Sequence, residues 1–293
     1  MWQAEQVRSR LGALYPHTAI SVLGVPAPGD PAAPRSQSAG GDRAVMIRDL
    51  EAAIADGRAD LAVHSLKNLP PEIAPGFTIA GITAREDPRD AFVSRRYASL
   101  AQLPAGAVIG TSSLRREAQL RERFPALEVK PLRGDLDARL RVLDTGRCAA
   151  LIIAASSLKR AGYASLITSL LEPDESLPAP GQGALGIECL AARTDLVAWL
   201  APLDDRDTAL AVRAERALSR TLSGSCQLPL GGYAEIERGS LRLRGFVATQ
   251  DGAQVIRGEL SGAPEEAETL GERLARQLLE QGADRILAAI VPP

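Results

Sequence analysis

The chain has 293 residues and a formal net charge of -2; 45% of its residues are hydrophobic, 24% are charged and 3% are aromatic. This composition excludes a disordered or low-complexity protein. The few aromatic residues argue against a stacking surface for nucleic acid, so no nucleic-acid partner is expected. The length exceeds that of one ordinary hydrophobic core and predicts two or three domains.

Other bulk features predict a cytoplasmic protein without membrane or metal. The longest apolar stretch, at 149–155, is far shorter than the roughly 20 residues of a membrane span. The first residues show no signal peptide, and Cys148, Cys189 and Cys226 lack the spacing of a disulfide framework. The first two of these cysteines lie in apolar runs typical of buried thiols. The two histidines, His17 and His64, have no carboxylate cluster near them in the sequence.

Helix and strand patterns alternate along residues 1–200. Helices are predicted at 5–14, 44–55, 114–123, 136–144 and 157–161, and strands at 18–23, 59–65, 77–83, 91–94, 107–110, 127–132, 149–154 and 184–188. Such alternation is typical of doubly wound α/β domains. The nearly continuous apolar run at 59–65 predicts a buried parallel strand, whereas 24–41, rich in Pro, Gly, Ala and Ser, predicts a mobile loop.

The pattern changes after Pro202. A long helix at 208–221 precedes strands at 233–236, 241–248 and 254–259, which are separated by turn signals and followed by a helix at 264–280. This order predicts a small antiparallel sheet with helices on it, as a separate α+β domain.

Two arginines follow a strand and a capping segment at 110–116, which reads GTSSLRR. Small hydroxyl residues at a helix start leave backbone N–H groups pointing outward. Arg115 and Arg116 then lie in the first turn, where cations oppose the helix dipole. A bound anion would remove that conflict. The alternative is a solvated arginine pair on an ordinary capped helix, and the residues alone leave both open.

Further arginines follow two more predicted strands. Arg133 and Gly134 come after the strand at 127–132, with Arg139 one helical turn on, and Arg160 follows the strand at 149–154. Ligands of open α/β sheets bind beyond the carboxyl ends of the strands. Three arginine-bearing positions of this kind favour one polyanionic ligand, held through its carboxylates or phosphates.

Two other segments contain candidate functional residues. The segment 64–68 reads HSLKN; Lys67 can bind an anion and Ser65 can donate a hydrogen bond, but the residues alone favour a loop with a satisfied histidine. Cys226 lies in a Gly/Ser loop after a helix and is a candidate nucleophile, although most lone cysteines are inert.

Together these segments resemble the porphobilinogen deaminase (hydroxymethylbilane synthase) family. The matching segments are 58–60 with 64–65, 85–92 (REDPRDAF), 110–116, 132–134 (LRG), 158–160 (LKR), 177–179 (LPA) with 181–184 (GQGA), and 226–227 with Pro229. Their order and spacing agree with the family over roughly four-fifths of the chain.

The resemblance implies two hinged α/β domains, similar to periplasmic binding proteins, and a small α+β C-terminal domain. The expected boundaries are 1–83 with 184–201 for domain 1, 89–178 for domain 2 and 206–293 for domain 3, which carries the cofactor cysteine. The resemblance also implies a cytoplasmic monomer of tetrapyrrole (haem) biosynthesis. Such an enzyme joins four porphobilinogen units through oligopyrrole intermediates to make hydroxymethylbilane, and it releases ammonia each time.

The family's cofactor is a dipyrromethane, which the resemblance attaches to Cys226 through a thioether. Each pyrrole carries acetate and propionate groups. By motif position these carboxylates would be bound by Lys67, Arg115, Arg116, Arg133, Arg139 and Arg160. The residues that would support the cofactor and substrate, also by motif position, are Ser65, Thr111, Ser112, Ser113, Gly134 and Gln182.

The N-terminal domain departs from the family pattern. The family's catalytic aspartate directly follows the lysine matched by Lys67, and here that position is Asn68. An amide carries no negative charge and is not a proton donor near neutral pH. The family's first strand, with its Thr-Arg and following Ser, is also not found. Either the start site was drawn too late or the strand is absent, and domain 1 is expected to be degenerate and truncated at its N-terminus.

Two alternatives to an active synthase therefore remain. One is an impaired paralogue that binds dipyrromethane or another oligopyrrole without efficient turnover. The other is a small-anion-binding protein whose Cys226 is unmodified.

Overall fold

A computed structural model of the protein describes residues 2–25, 42–222 and 228–290. The chain divides into two compact units: unit 1 is Met1–Ala84 with Ala184–Ala209, and unit 2 is Arg85–Gly183 with Leu210–Pro293. No helix among the described residues is long and apolar enough to cross a membrane.

The described helices and strands are as follows. The helices are α1 (Trp2–Leu14), α2 (Asp42–Ala55), α3 (Leu114–Arg123), α4 (Leu136–Asp144), α5 (Ala155–Arg160), α6 (Thr194–Leu200), α7 (Arg206–Thr221), α8 (Ala267–Glu280) and α9 (Ala283–Ile290). The strands are β1 (Ala62–Ser65), β2 (Phe77–Ile82), β3 (Asp90–Val93), β4 (Val108–Thr111), β5 (Glu128–Pro131), β6 (Ala150–Ala154), β7 (Ser169–Leu171), β8 (Leu185–Leu190), β9 (Leu230–Glu237), β10 (Ser240–Ala248) and β11 (Val255–Gly262).

Unit 1 contains a three-stranded sheet in the order β1-β8-β2. Both β1 and β2 pair with β8 in the antiparallel direction. The prediction of a parallel strand at 59–65 is therefore wrong in direction, because an apolar run reports burial and not the direction of its neighbour. Residues 18–23, also predicted as a strand, form none. Residues of α1 pack with those of β8 in one core, which includes Val7, Leu11 and Ile187.

Unit 2 contains two sheets. The first has the order β5-β4-β6-β3-β7; β4 is parallel to β5 and β6, and β3 is antiparallel to β6 and β7. Its buried strand residues include Phe92, Ile109 and Ile152, which share one core.

The second sheet of unit 2 has the antiparallel order β11-β10-β9. Its own core includes Leu218 of α7 and Leu274 of α8. The predicted α/β class and the antiparallel C-terminal sheet are thus confirmed. The division of unit 2 into a second and a third domain stays a prediction.

Candidate active site

The carboxyl ends of three parallel strands meet at one edge of the first sheet of unit 2. Thr111 ends β4, and its carbonyl accepts a hydrogen bond of 3.0 Å from the backbone N–H of Leu132, which follows β5. Helix α5 follows β6 directly. Because β3 runs the opposite way, its first residue, Asp90, lies opposite Ala154 at this same edge. We call these strand ends and the residues that follow them the arginine edge.

Arg115 and Arg116 are buried at the arginine edge beside Asp90. Their exposed fractions are 3% and 7%, and that of Asp90 is 0%. Arg115 Nη2 lies 2.9 Å from Asp90 Oδ2, and Arg116 Nε lies 2.9 Å from Asp90 Oδ1. The alternative of a solvated arginine pair is therefore wrong. The anion that the helix start was expected to bind is supplied, at least in part, by the chain itself.

Gln182 and Ser176 complete this buried network. Gln182 donates a hydrogen bond of 2.9 Å to Asp90 Oδ1 and accepts one of 3.2 Å from Arg116 Nη2. The Ser176 hydroxyl donates a hydrogen bond of 2.7 Å to Asp90 Oδ2. Arg115 also donates to the carbonyl of Leu177. Burial alone would raise the pKa of the Asp90 carboxyl, but the two guanidiniums and Gln182 hold that pKa well below its usual range. Burial lowers the pKa of Arg115, and Asp90 opposes this change.

The hydroxyl residues before α3 do not cap the helix through their side chains. Ser113 is the N-cap residue, yet its side chain makes no capping hydrogen bond. The hydroxyl of buried Thr111 donates 3.2 Å to the carbonyl of Ile152, and Ser112 is exposed. The N–H groups of the first turn of α3 therefore receive no hydroxyl acceptor from Ser113.

The turn after β5 carries exposed cationic groups. Arg133 is exposed, and Gly134 has φ +93°, a conformation that favours glycine. Arg139 donates 3.0 Å to the Gly134 carbonyl. Asp135 is the N-cap of α4 and accepts 2.7 Å from the N–H of Ala138. This acidic residue thus has a local structural role.

Arg160 ends α5 and donates 2.6 Å to the carbonyl of Gly183. Burial lowers the pKa of Arg160, and the nearby charge of Glu86 raises it in part. The preceding Lys159 pairs with Glu86 at 3.1 Å and with Asp87 at 3.3 Å. The structure therefore places Arg160 at the end of its helix against protein groups.

Three predicted site residues lie in unit 1. Ser65 is buried at the end of β1, and Lys67 and Asn68 are half-buried in the single 3-10 turn Leu66–Asn68 that follows. His64 is buried, and its Nε2 lies 2.8 Å from Oε2 of Glu188. The satisfied histidine is confirmed, although it lies in a strand and not in a loop.

The fold brings a carboxylate next to His64 that is distant from it in the sequence. Glu188 comes from β8, more than 120 residues away in the sequence, and Glu51 of α2 has its pKa raised by burial and by the Glu188 charge. Even so, no group of three or more potential metal ligands is found in the part of the chain that the structure describes.

Comparison with known proteins decides the family. The family model "Porphobilinogen deaminase, dipyromethane cofactor binding domain" matches residues 1–198, and the model of the C-terminal domain of the same enzymes matches 209–280. The chain belongs to the porphobilinogen deaminase family. The porphobilinogen deaminase of Nitrosomonas europaea is 54% identical over 99% of this chain and 94% of its own length, and that of Paraburkholderia phytofirmans is 56% identical over 99% and 86%.

Solved structures show more distant likeness. An ABC transporter periplasmic substrate-binding protein from Coxiella burnetii aligns with a TM-score of 0.42 at 15% identity, over 69% of this chain and 86% of that one. A nutrient binding protein from Burkholderia cenocepacia bound to methionine gives a TM-score of 0.42 at 15% identity, over 68% and 85%.

The arginine edge fits the dipyrromethane cofactor of porphobilinogen deaminases. A dipyrromethane with acetate and propionate groups needs several cationic donors, and the edge carries exposed Arg133 beside Arg139. Nε of Arg115 is buried and has no hydrogen-bond partner among the described residues. The donor set thus suits a ligand with several carboxylates.

Two of the three cysteines are buried, as the sequence predicted. Cys148 and Cys189 are buried, and burial raises the pKa of each thiol, which makes them poor nucleophiles. Cys226, to which the family resemblance attaches the cofactor, lies outside the described residues.

Sequence reasoning missed Asp90 and Ser176. Asp90 was part of a segment shared with porphobilinogen deaminases, yet it received no role. A signal was available, because an acidic residue opening the apolar run Ala91-Phe92-Val93 is unusual for a buried strand and requires a cationic partner.

Proposed function

We propose that the protein is a working hydroxymethylbilane synthase, which joins four porphobilinogen units head to tail and releases ammonia at each addition. The supporting observation is the arginine edge, where arginines follow three neighbouring strand ends of one sheet. Porphobilinogen and its oligomers carry carboxylates on every ring, and guanidinium groups bind carboxylates in a bidentate manner. We further infer that it works as a cytoplasmic monomer.

We assign the binding groups by their surroundings. In unit 2, Arg133 and Arg139 bind substrate carboxylates, and so does Arg160 at the end of α5. In unit 1, Lys67 has the same role by its motif position. Arg115 and Arg116 bind substrate carboxylates through the N–H groups that are not bonded to Asp90. When bound, the dipyrromethane on Cys226 supplies a covalent primer to which the units are added.

The remaining assigned residues position neighbouring protein groups or offer hydrogen-bond donors at strand ends. Thr111 and Gln182 hold neighbouring groups in place, since their side chains bond to Ile152 and to Asp90. Ser65, Ser112 and Ser113 offer hydroxyl or N–H donors at strand ends. Gly134 provides the left-handed turn that brings its carbonyl to Arg139.

Asn68 supports a second candidate, an impaired paralogue that binds oligopyrroles. It occupies the position of the family's catalytic aspartate, in the 3-10 turn that follows β1. A carboxamide has no negative charge with which to stabilise the cation that forms when ammonia leaves. Loss of a catalytic carboxylate lowers the rate by a factor of about 10²–10⁴. The two candidates share the cofactor and differ in turnover.

The first test is the mass of the purified protein before and after incubation with porphobilinogen. A dipyrromethane adduct on the peptide that contains Cys226 is expected for both candidates. Uroporphyrin after acid oxidation of the product reports turnover. A protein without the adduct would exclude both candidates and favour the small-anion-binding alternative.

The variant Asn68→Asp tests the residue directly. Restoring the carboxylate is expected to raise kcat by about 10²-fold or more, because the negative charge stabilises the reacting cation. Turnover is measured as uroporphyrin per active site. Gln281→Glu, which adds the same charge at an exposed position of unit 2, is the control. Equal kcat in wild type and Asn68→Asp would mean that Asn68 does not limit the reaction.

A further inference from the structure

Two adjacent guanidiniums are buried at the arginine edge with a single carboxylate between them. Arg115 and Arg116 are 3% and 7% exposed, and Asp90 is fully buried. An unpaired buried charge is very unfavourable, so these cations depend on the anion beside them. One negative and two positive charges leave one positive charge in excess.

Asp90 is itself fixed on all sides. It begins β3 in register with Ala154 of β6 and Leu171 of β7. Its Oδ2 accepts from Ser176 at 2.7 Å and its Oδ1 accepts from Gln182 at 2.9 Å. With both oxygens engaged by neutral donors as well as by the guanidiniums, the carboxylate cannot turn away from the edge without losing several hydrogen bonds.

The fixed carboxylate leaves specific donors unused. Nε of Arg115 has no hydrogen-bond partner in the described part of the chain. Arg116 uses Nε and Nη2 on Asp90 and Gln182, and none of the described residues accepts from its Nη1. Asp90 thus orients both guanidiniums while it leaves donors and one positive charge for an incoming carboxylate.

We propose that Asp90 is a positioning residue that holds Arg115 and Arg116 at the arginine edge and so sets the affinity for carboxylate-bearing pyrroles. This inference rests on the proposed function. Asp90 acts through the two guanidiniums and touches no reacting atom, so its effect falls on binding and not on the chemical step.

Asp90→Asn is the main test, because it keeps the shape of the side chain and removes the charge. Without the anion the two guanidiniums repel each other and lose their common acceptor. We expect KM for porphobilinogen to rise and cofactor uptake by the apoprotein to slow, each by at least about tenfold. At saturating porphobilinogen, kcat is expected to stay within about threefold of wild type.

Asp144→Asn is the matched control. It removes the same charge from an arginine pair, since Asp144 lies 2.8 Å from Arg95, but there the side chains are about half exposed. Exposed pairs contribute little, so KM and cofactor uptake should equal those of wild type.

A double variant separates positioning from a general loss of structure. In an Arg116→Gln background, Asp90→Asn should raise KM much less than it does in wild type, because one of the two groups that it positions is absent. If Asp90→Asn does not fold, Ser176→Ala keeps the charge and removes one hydrogen bond to Oδ2. That variant should raise KM by about two- to fivefold.

The outcomes are distinct. Wild-type protein that takes up no pyrrole overturns the proposed function and this inference with it. Wild-type protein that takes up the pyrrole, together with folded Asp90→Asn of unchanged KM and uptake, overturns the positioning role alone. An equal rise in KM caused by Asp90→Asn in the wild-type and Arg116→Gln backgrounds also overturns the positioning role.

Discussion

The Glu188 carboxylate of unit 1 is fully buried, and His64 is the described residue whose side chain bonds to it. Oε2 lies 2.8 Å from Nε2 of His64, which is itself 5% exposed, while Oε1 has no hydrogen-bond partner among the described residues. Glu51 adds a second carboxylate nearby, and the Glu188 charge contributes to raising its pKa. The imidazole is thus the described side chain that satisfies this buried carboxylate.

His64→Ala should therefore destabilise the protein strongly. Removing one partner of a buried pair leaves an uncompensated polar group and costs about 3–5 kcal/mol of unfolding free energy. Chemical denaturation measures this change. His17→Ala removes the only other histidine, which is exposed, and should change the free energy by less than about 0.5 kcal/mol. Equal stability of the two variants would show that Glu188 does not depend on His64.

Two helices of unit 2 begin after similar sequence signals but are capped differently. Asp135 before α4 accepts a hydrogen bond from the N–H of Ala138, whereas Ser113 before α3 makes no such bond. The hydroxyl that could serve α3 is thus not used, and the N–H groups of its first turn stay available to an anion. Cap residues predict where a helix starts but not whether the cap forms.

Asp135→Ala and Ser113→Ala measure this difference in capping. Loss of a formed N-cap costs about 1 kcal/mol of unfolding free energy, so Asp135→Ala should be destabilising by that amount. Ser113→Ala should cost at most a few tenths of a kcal/mol, because no side-chain bond is lost. Denaturant titration of both variants gives the two values. A larger loss for Ser113→Ala would contradict the uncapped start of α3.

The sequence predicted the local structure of the whole molecule better than its long-range pairing. The segments 114–123 and 136–144 form helices with the predicted bounds, because helical periodicity is a local property. The direction of β1 and the partner of His64 both depend on β8, which is distant in the sequence. The motif that contains Arg115 and Arg116 was found, but the burial of these two residues against Asp90 required the register of β3 with β6.

At the scale of the whole molecule, paired carboxylates predict loss of stability in acid. The pKa values of Glu86, Asp87 and Asp90 are lowered by hydrogen bonds and cations that outweigh the effect of burial. A carboxyl with a lowered folded pKa stabilises the protein above its unfolded pKa, about 4, and loses this contribution as the pH falls toward the folded value. The thermal midpoint should be nearly constant from about pH 8 to 5 and fall below about pH 4.

Asp90→Asn identifies the largest buried contribution to this acid dependence. The variant should unfold at a lower midpoint at neutral pH. Its difference from wild type should shrink as the pH falls below about 4, because the unfolded wild-type chain then takes up a proton on this carboxyl while folded Asp90, with its lowered pKa, does not. Calorimetry between pH 8 and 3 measures both curves. Raising the salt concentration weakens exposed pairs such as Arg193–Asp195 but should leave the Asp90 difference nearly unchanged, since buried pairs are screened less. A difference that is independent of pH, or one that salt abolishes, would mean that Asp90 does not act as a buried charge.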